Sequence, residues 1–301
     1  GINAAVKDFG RIAGHEVEVI TLDGGCSEEM GTDAAYRIVN DPQVVGVIGT
    51  LCSASAKGAR SIISDAGYVM ISPANTRTSF TYSDSLPGFF RVSTPDIYQA
   101  QYMAEFAYRE LGARRIGIFR ADNEYSRELA DAFAEWFRAN GGEITLYQVV
   151  PFGMSDMAND MSALMSRLEE SQTDAIYMPL FMPEAATFVS WVSEWGGEFS
   201  LLGADTINPP EFIDSISTIQ QVFYTESSPT LSSNPYAYGY DAARLLLDTI
   251  SRIAILDESG VLHIGRQALR DALRNASFGG QTGMVACNPN GDCGHAAIAI
   301  Y

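Results

Sequence analysis

The sequence predicts an α/β protein of two doubly wound lobes, each built on a mostly parallel sheet. Short apolar runs of strand length alternate with amphipathic runs of helix length along nearly the whole chain, which is the pattern of βα units. The alternation restarts near residue 94, so the units fall into two sets. A length of 301 residues also suits two domains of ordinary size.

The first set of units opens with Gly1–Phe9, which has the composition of a helix interior and lacks an initiator Met or signal peptide. This start indicates a mature or trimmed chain. Helices in this set are recognised by apolar residues at helical spacing, and strands by continuous apolar runs. The elements expected next are a strand Val17–Asp23, a helix Glu28–Asn40, a strand Val44–Thr50, a helix Ser53–Asp65 and strands Tyr68–Ser72 and Phe89–Ser93.

The second set begins at Thr94-Pro95-Asp96, where a proline near the first turn favours a helix start. Glycine pairs after residues 140 and 195 are typical helix ends. The elements expected in this set are helices Thr94–Leu111, Arg127–Asn140, Asp156–Glu170 and Pro183–Trp195, with strands Arg115–Arg120, Glu143–Val150, Ala175–Phe181, Ser200–Gly203 and Val222–Thr225.

A Ser/Pro-rich connector, Ser227–Pro235, precedes the longest helix, Tyr238–Ile255, and a shorter helix, Arg266–Asn275. Gly283–Ala286 and Ala296–Tyr301 then look like antiparallel strands that flank a cysteine turn. Placing these elements requires further crossings between the lobes. We therefore expect residues 1–94 and 228–290 in one lobe, and residues 95–227 and 291–301 in the other.

The chain is strongly acidic, with 19 Lys and Arg against 37 Asp and Glu and a net charge of −18. This balance argues against nucleic acids and anionic membrane surfaces as partners. It identifies no partner, because solubility explains it equally well. No apolar run approaches the roughly 20 residues that a membrane-spanning helix needs.

The four cysteines fall into two pairs. Cys26 and Cys52 each follow the end of a predicted strand, and two adjacent parallel strands would bring these ends together. Cys287 and Cys293 flank a tight turn. Two disulfides and an oxidising compartment are therefore expected. Zinc is the alternative, but the chain has no CxxC pair and its three histidines are scattered, so we expect no metal.

The sequence gives little support for an enzyme. It contains neither a G-x-S-x-G nucleophile elbow nor a G-K-[ST] phosphate loop, and no paired carboxylates at catalytic spacing are recognisable. No local pattern supplies a histidine for Ser53. We therefore expect a non-enzymatic protein without a cofactor.

Polar and aromatic residues follow several predicted strands, where parallel α/β sheets bind ligands. Ser53 also begins a helix, whose free N–H groups suit a carboxylate or phosphate; an ordinary N-cap is the alternative. Singly, each residue could be a cap or a packing residue, but the set favours an amino-acid site. The candidate ligand-binding residues are Leu51, Ser53, Ala74, Thr76, Tyr125, Phe181 and Asp205.

At these residues the sequence resembles the leucine/isoleucine/valine-binding proteins, the type I periplasmic solute-binding components of branched-chain amino-acid ABC transporters. The order and spacing of the matching motifs hold over nearly the whole chain. The resemblance is carried by Asp23–Cys26, Ile48–Ser55, Ile71–Thr76, Arg115–Arg120 with Tyr125, Phe181 with Pro183-Glu184, Gly203–Asp205 and Tyr238–Ala242.

The resemblance implies two lobes joined by three hinge crossovers, with a ligand captured between them by hinge closure. It also implies a disulfide between Cys26 and Cys52. Ser53 and Thr76 would hold the ligand carboxylate. The ammonium would be held by the Ala74 carbonyl, the Thr76 hydroxyl and Asp205, and Tyr125 and Phe181 would line the wall of the second lobe.

The resemblance further implies an apolar, branched-chain or aromatic amino acid as ligand and an ABC permease as partner. A monomer outside the cytoplasm, periplasmic or extracellular, is expected, with a lipid anchor before trimming as an option. An aromatic or other carboxylic acid as ligand, or a sensing ectodomain, are the alternatives.

Four features depart from the family pattern. The chain begins after the family's first strand, so that strand is expected to be absent. Asp205 stands where branched-chain binders carry Glu, and Phe181 replaces a Tyr. The pair Cys287 and Cys293 is additional.

Overall fold

The computed structural model describes residues 1–150, 158–182, 184–196, 199–207, 212, 221–227, 235–294 and 298–301. The chain divides into two compact units. The first contains Gly1–Pro95 and Ser233–Ala296, and the second contains Asp96–Ser232 and Ala297–Tyr301. Both units are α/β with mostly parallel sheets, which confirms the predicted fold class.

The loop that ends at Cys293 belongs to the first unit, although residues 291–301 were predicted for the second lobe. Two contacts explain this. Cys293 forms a disulfide with Cys287, and Asp292 forms an ion pair with Arg91. All four residues lie in the first unit.

The elements are numbered in chain order. Helices are α1 Ile2–Phe9, α2 Glu28–Val39, α3 Ser53–Asp65, α4 Asp96–Arg109, α5 Glu124–Ala139, α6 Ala158–Glu170, α7 Glu184–Trp195, α8 Pro235–Ile253 and α9 Arg266–Leu273. Strands are β1 Val47–Ile48, β2 Met70–Ser72, β3 Phe89–Arg91, β4 Arg115–Ala121, β5 Glu143–Val150, β6 Ala175–Met178, β7 Ser200–Gly203, β8 Val222–Ser227, β9 Ile255–Leu256, β10 Leu262–His263, β11 Ser277–Gly280, β12 Gly283–Ala286 and β13 Ile298–Ile300.

The first unit is built on a parallel sheet with the strand order β1-β2-β3. Successive side chains of a strand point to opposite faces. Met70 and Phe89 accordingly pack with residues of α2 and α3, whereas Ile71 and Phe90 pack with residues of α8 and α9. Helices therefore cover both faces of the sheet, and the ends of β1 and β2 lie side by side.

The second unit is built on a six-stranded sheet with the order β13-β8-β7-β6-β4-β5. All pairs are parallel except β13 with β8. Ile118 and Tyr177 pack with α4 and α5 on one face, and Phe119 and Ile176 pack with α6 and α7 on the other. The loops after β4, β6 and β7 consequently lie on the same side of the sheet, at the carboxyl ends of these strands.

Local sequence patterns predicted several elements to the residue. The helix Ser53–Asp65 and the strands Glu143–Val150 and Ser200–Gly203 are as predicted. The strand predicted at Val17–Asp23 is wrong, because within residues 1–150 it pairs with no other strand. An apolar run becomes a strand only when a neighbour completes its hydrogen-bond ladder. The strand predicted at Val44–Thr50 shortens to β1 for the same reason.

The pairing predicted for the two last strands is also wrong. β12 pairs with β11, and β13 pairs with β8. The β11–β12 turn is held by the buried Asp241 carboxylate, which accepts hydrogen bonds from the amides of Gln281 (2.9 Å) and Thr282 (2.7 Å). The predicted boundaries at Asp156, Pro183 and Ala296 and residues 228–234 of the connector lie outside the described residues.

Two glycines allow α2 and α3 to pack closely. A Cβ atom at Gly31 would lie 2.1 Å from the Ser55 carbonyl oxygen, and one at Gly58 would lie 2.1 Å from the Glu28 carbonyl oxygen. A carbon atom cannot approach backbone this closely. The contact between these helices therefore requires glycine at both positions.

We expect Gly58→Ala to destabilise the protein by about 1–3 kcal/mol through overpacking, although alanine has the better helix propensity. Gly239→Ala in α8 is the matched control, because its Cβ would meet only ordinary contacts at 3.5 Å or more. The control should keep or slightly raise the free energy of unfolding. Urea unfolding measures both, and equal stability of the two variants would contradict the close packing.

Candidate functional site

In the first unit, the candidate residues lie in two loops that follow β1 and β2. Asn75 links them, because its fully buried amide donates to the Leu51 carbonyl oxygen at 3.3 Å. The Thr50 hydroxyl donates to the Cys52 carbonyl oxygen at 2.7 Å. The loop that leads into Ser53, the first residue of α3, and the loop that contains Thr76 are therefore hydrogen-bonded to each other.

Ser72 shapes the second loop. Its hydroxyl donates to the Thr50 carbonyl oxygen (3.2 Å) and accepts from the amides of Ala74 (3.2 Å) and Asn75 (2.8 Å). The chain consequently turns directly after β2. This turn determines where Ala74 and Thr76 lie.

The buried guanidinium of Arg91 also holds this loop through hydrogen bonds. Arg91 is fully buried, and its Nη1 donates to the carbonyl oxygens of Asn75 (3.1 Å) and Arg77 (2.6 Å). Its Nε donates to Asp292 Oδ1 at 2.5 Å. Arg91 was not among the residues predicted from the sequence. The available signal was an arginine within the apolar run Phe89–Ser93, since a buried charge requires a partner.

The N-terminus of α3 is open to an anion. Cys52, not Ser53, is the N-cap residue, and it makes no side-chain capping hydrogen bond. Within the described chain, the hydroxyls of Ser53 and Thr76 hydrogen-bond to no other residue. Free amides and a helix dipole at this position favour a carboxylate or phosphate. The Leu51 side chain, also a candidate, is 72% exposed.

In the second unit, the structure brings all three candidate residues together. Tyr125, in the first turn of α5, donates its hydroxyl to Asp205 Oδ1. Asp205 lies two residues after the end of β7 and directly follows Ala204. The rings of Tyr125 and Phe181 lie 5.0 Å apart at 46°. An acid thus lies beside a pair of aromatic rings.

Hydrogen bonds between neighbouring loops position these residues. The Ser126 hydroxyl accepts from the Ala121 amide (2.8 Å) and donates to the Pro179 carbonyl oxygen (2.5 Å). The Thr206 hydroxyl donates to the Leu180 carbonyl oxygen at 2.6 Å. The ends of β4, β6 and β7 are therefore joined next to Tyr125, Phe181 and Asp205, respectively.

Gln99 on α4 is a further residue that the sequence analysis missed. Its buried Oε1 accepts from the Asp205 amide at 2.8 Å and from the Thr225 hydroxyl. It therefore fixes the backbone of Asp205. A glutamine among the buried apolar residues of α4 was the only signal in the sequence.

The environment of Asp205 disfavours its negative charge. Burial raises the pKa of this carboxyl group, and hydrogen bonds from Tyr125 and Gln99 only partly oppose the shift. The pKa of Tyr125 lies well above its ordinary value, because of burial first and then the negative charge of Asp205. A cation bound beside Asp205 would favour the ionised carboxylate.

Both predicted cysteine pairs are disulfides, Cys26–Cys52 and Cys287–Cys293, with Cα–Cα distances of 5.2 and 3.7 Å. Among the described residues, no group of His, Cys, Asp or Glu side chains could hold a metal ion. In the same part of the chain, no helix is both long and apolar enough to cross a membrane.

A family model described as periplasmic binding protein matches residues 1–207. An amino acid binding protein from Pseudomonas aeruginosa is 27% identical over 199 residues, 65% of this chain. A Leu/Ile/Val-binding protein from Escherichia coli K12 is 25% identical over 210 residues, 69% of this chain. These matches confirm the resemblance that the motifs indicated.

The aligned regions span about half the length of these curated relatives, 52% of the first and 56% of the second. Among solved structures, a leucine-binding protein from Thermotoga maritima is similar with a TM-score of 0.80 and 26% identity. That similarity covers 100% of this chain and 91% of the other.

The raised pKa of Asp205 makes stability depend on pH. The folded protein binds this proton more tightly than the unfolded chain, so the free energy of unfolding falls as pH rises from about 4 through the raised pKa. We expect Asp205→Asn to remove this loss. The variant should be more stable than wild type at about pH 7, and the difference should shrink towards pH 4.

Thermal unfolding at a series of pH values measures this effect. Glu135→Gln, which removes one exposed charge from the same unit, is the control and should follow the wild-type profile. A constant difference between Asp205→Asn and wild type across the series would contradict the unfavourable burial of the charge.

Proposed function

Because the chain belongs to the periplasmic binding protein family, we propose that it is the solute-binding protein of an ABC importer and captures an apolar, branched-chain or aromatic amino acid. Family membership implies a location outside the cytoplasm, where disulfides such as the two found here are stable. The proposed partner is the importer's permease, and the protein is proposed to act as a monomer without catalysis.

One observation carries this proposal: the two units offer groups of opposite electrostatic preference. The N-terminus of α3 favours an anion, and Asp205 favours a cation. A free amino acid carries both charges. Each charge must be paired when water is excluded, or binding costs several kcal/mol.

The first unit is proposed to bind the α-carboxylate. The first amides of α3 and the hydroxyls of Ser53 and Thr76 are donors without protein acceptors in the described chain. Hydrogen bonds to a charged acceptor are roughly twice as strong as neutral ones. Hydrogen bonds from Asn75 to Ser72 and from Arg91 to Asn75 hold the backbone next to Thr76, so this donor is already positioned before a ligand binds.

The second unit is proposed to bind the ammonium group and the side chain. Asp205 would pair with the ammonium, which reverses the effect of burial on its pKa. Tyr125 and Phe181 would contact the side chain. Phe181 is 41% exposed and its ring packs at a tilt against that of Tyr125, so its exposed surface suits an apolar or aromatic group.

The proposed carboxylate groups belong to one unit and Asp205 to the other. Capture by this mechanism therefore requires both units to contact the ligand, which is the logic of hinge closure. The names of the relatives favour this ligand class, because they describe proteins that bind leucine, isoleucine and valine, or amino acids in general.

We expect leucine or a related apolar amino acid to raise the melting temperature, since a ligand at about 100 times its Kd adds about 2.7 kcal/mol. Ser53→Ala should weaken binding about tenfold or more, because it removes a donor to a charged acceptor. Ser61→Ala, an exposed serine on the same helix, is the matched control and should bind like wild type. Isothermal titration measures each Kd.

A panel of carboxylic acids without an ammonium group completes this experiment. If such an acid stabilised the protein and no amino acid did, the proposed ligand class would be wrong and the ligand would be a carboxylic acid. Equal affinity of the Ser53→Ala and Ser61→Ala variants would contradict the proposed role of the Ser53 hydroxyl.

A further inference from the structure

The disulfide between Cys287 and Cys293 closes a short, tightly determined loop. The Asn288 side-chain oxygen accepts from the amides of Asn290 (2.9 Å) and Asp292 (3.1 Å). Gly291 has a φ of +97°, and a Cβ atom there would lie 2.4 Å from the Phe89 carbonyl oxygen. These contacts hold the loop against β3.

Backbone hydrogen bonds attach this loop to the edge of the sheet. The Arg91 amide donates to the Gly291 carbonyl oxygen (2.9 Å), and the Cys293 amide donates to the Arg91 carbonyl oxygen (2.8 Å). Arg91 and Asp292 thereby form a parallel bridge. The Asp292 carboxylate meets the Arg91 guanidinium 2.5 Å from its Nε.

The other side of the Arg91 guanidinium faces the loop around Thr76, which contains candidate ligand-binding residues. Nη1 donates to the carbonyl oxygens of Asn75 and Arg77, the two residues on either side of Thr76. Nη2 donates to the Thr81 hydroxyl. A continuous chain of contacts thus runs from the disulfide through Asp292 and Arg91 to the backbone around Thr76.

We propose that Asp292, held by the Cys287–Cys293 loop, is a positioning residue for ligand binding. It contacts no ligand itself; its charge holds the Arg91 guanidinium where the guanidinium orders Ala74–Arg77. The proposal rests on the proposed function, because the ordered segment carries Thr76. Neutralising Asp292 leaves a buried cation without its carboxylate, and a guanidinium that moves to find solvent releases both carbonyl groups.

The test compares Asp292→Asn with Asp241→Asn. Both replace a buried acid in the first unit, but Asp241 holds the β11–β12 turn rather than the ligand loop. Each protein is studied at the same interval below its own melting temperature, so that global stability is matched. Leucine affinity is measured by titration, and amide hydrogen exchange is measured over residues 73–78.

We expect Asp292→Asn to weaken leucine binding about tenfold or more and to accelerate exchange over residues 73–78 by a similar factor. Asp241→Asn should change both quantities less than about twofold. Equal changes in the two variants would overturn the proposal, because general destabilisation would then explain them. Unchanged exchange in Asp292→Asn would overturn it as well.

A double variant, Cys287→Ser with Cys293→Ser, provides the second test if Asp292→Asn fails to fold. It keeps every charge and releases only the loop, so faster exchange over residues 73–78 is expected and unchanged exchange contradicts the coupling. Exchange needs no ligand. If wild-type protein binds no amino acid, the proposed function fails, whereas the exchange comparison still decides whether Asp292 orders this loop.

Discussion

The buried ion pair between Arg91 and Asp292 is the interaction on which the candidate site of the first unit depends. A buried guanidinium is costly unless it is paired with an opposite charge and hydrogen-bonded. Here a carboxylate, two backbone carbonyl groups and a hydroxyl supply the acceptors. Because two of them belong to the loop around Thr76, satisfying the charge also determines the shape of that loop. The additional disulfide near Asp292 supports the same arrangement.

The half-buried Asp205 of the second unit is in the opposite situation. Asp205 has hydrogen-bond partners in Tyr125 and Gln99, yet burial still raises its pKa. In the first unit, the buried cation Arg91 is paired with Asp292. In the second unit, the acid Asp205 has no cationic partner among the described residues. Functional sites commonly sacrifice stability in this way. An incoming ammonium group would supply the missing charge, which links the cost in the free protein to selectivity for the ligand.

Local patterns were sufficient for α3, β5 and the placement of Tyr125, Phe181 and Asp205 at strand ends, because helix periodicity and sheet topology act over short distances. They failed at Val17–Asp23, since a strand depends on a partner that its own residues do not specify. Arg91 and Asp292 are 201 residues apart in sequence. Such a pair, like Gln99 with Asp205, becomes visible only when the fold has brought its members together.

The proposed recognition of both charges is tested most directly by titrating wild-type protein with three matched ligands: leucine, leucinamide, which lacks the carboxylate, and 4-methylpentanoate, which lacks the ammonium. Leucine should bind, and each analogue should bind about 100-fold more weakly or worse, because leucinamide leaves the donors at the α3 N-terminus without an anion and 4-methylpentanoate leaves Asp205 without a cation. If 4-methylpentanoate bound as tightly as leucine, Asp205 would have no role in pairing an ammonium group, and recognition of an amino acid as a zwitterion would be contradicted.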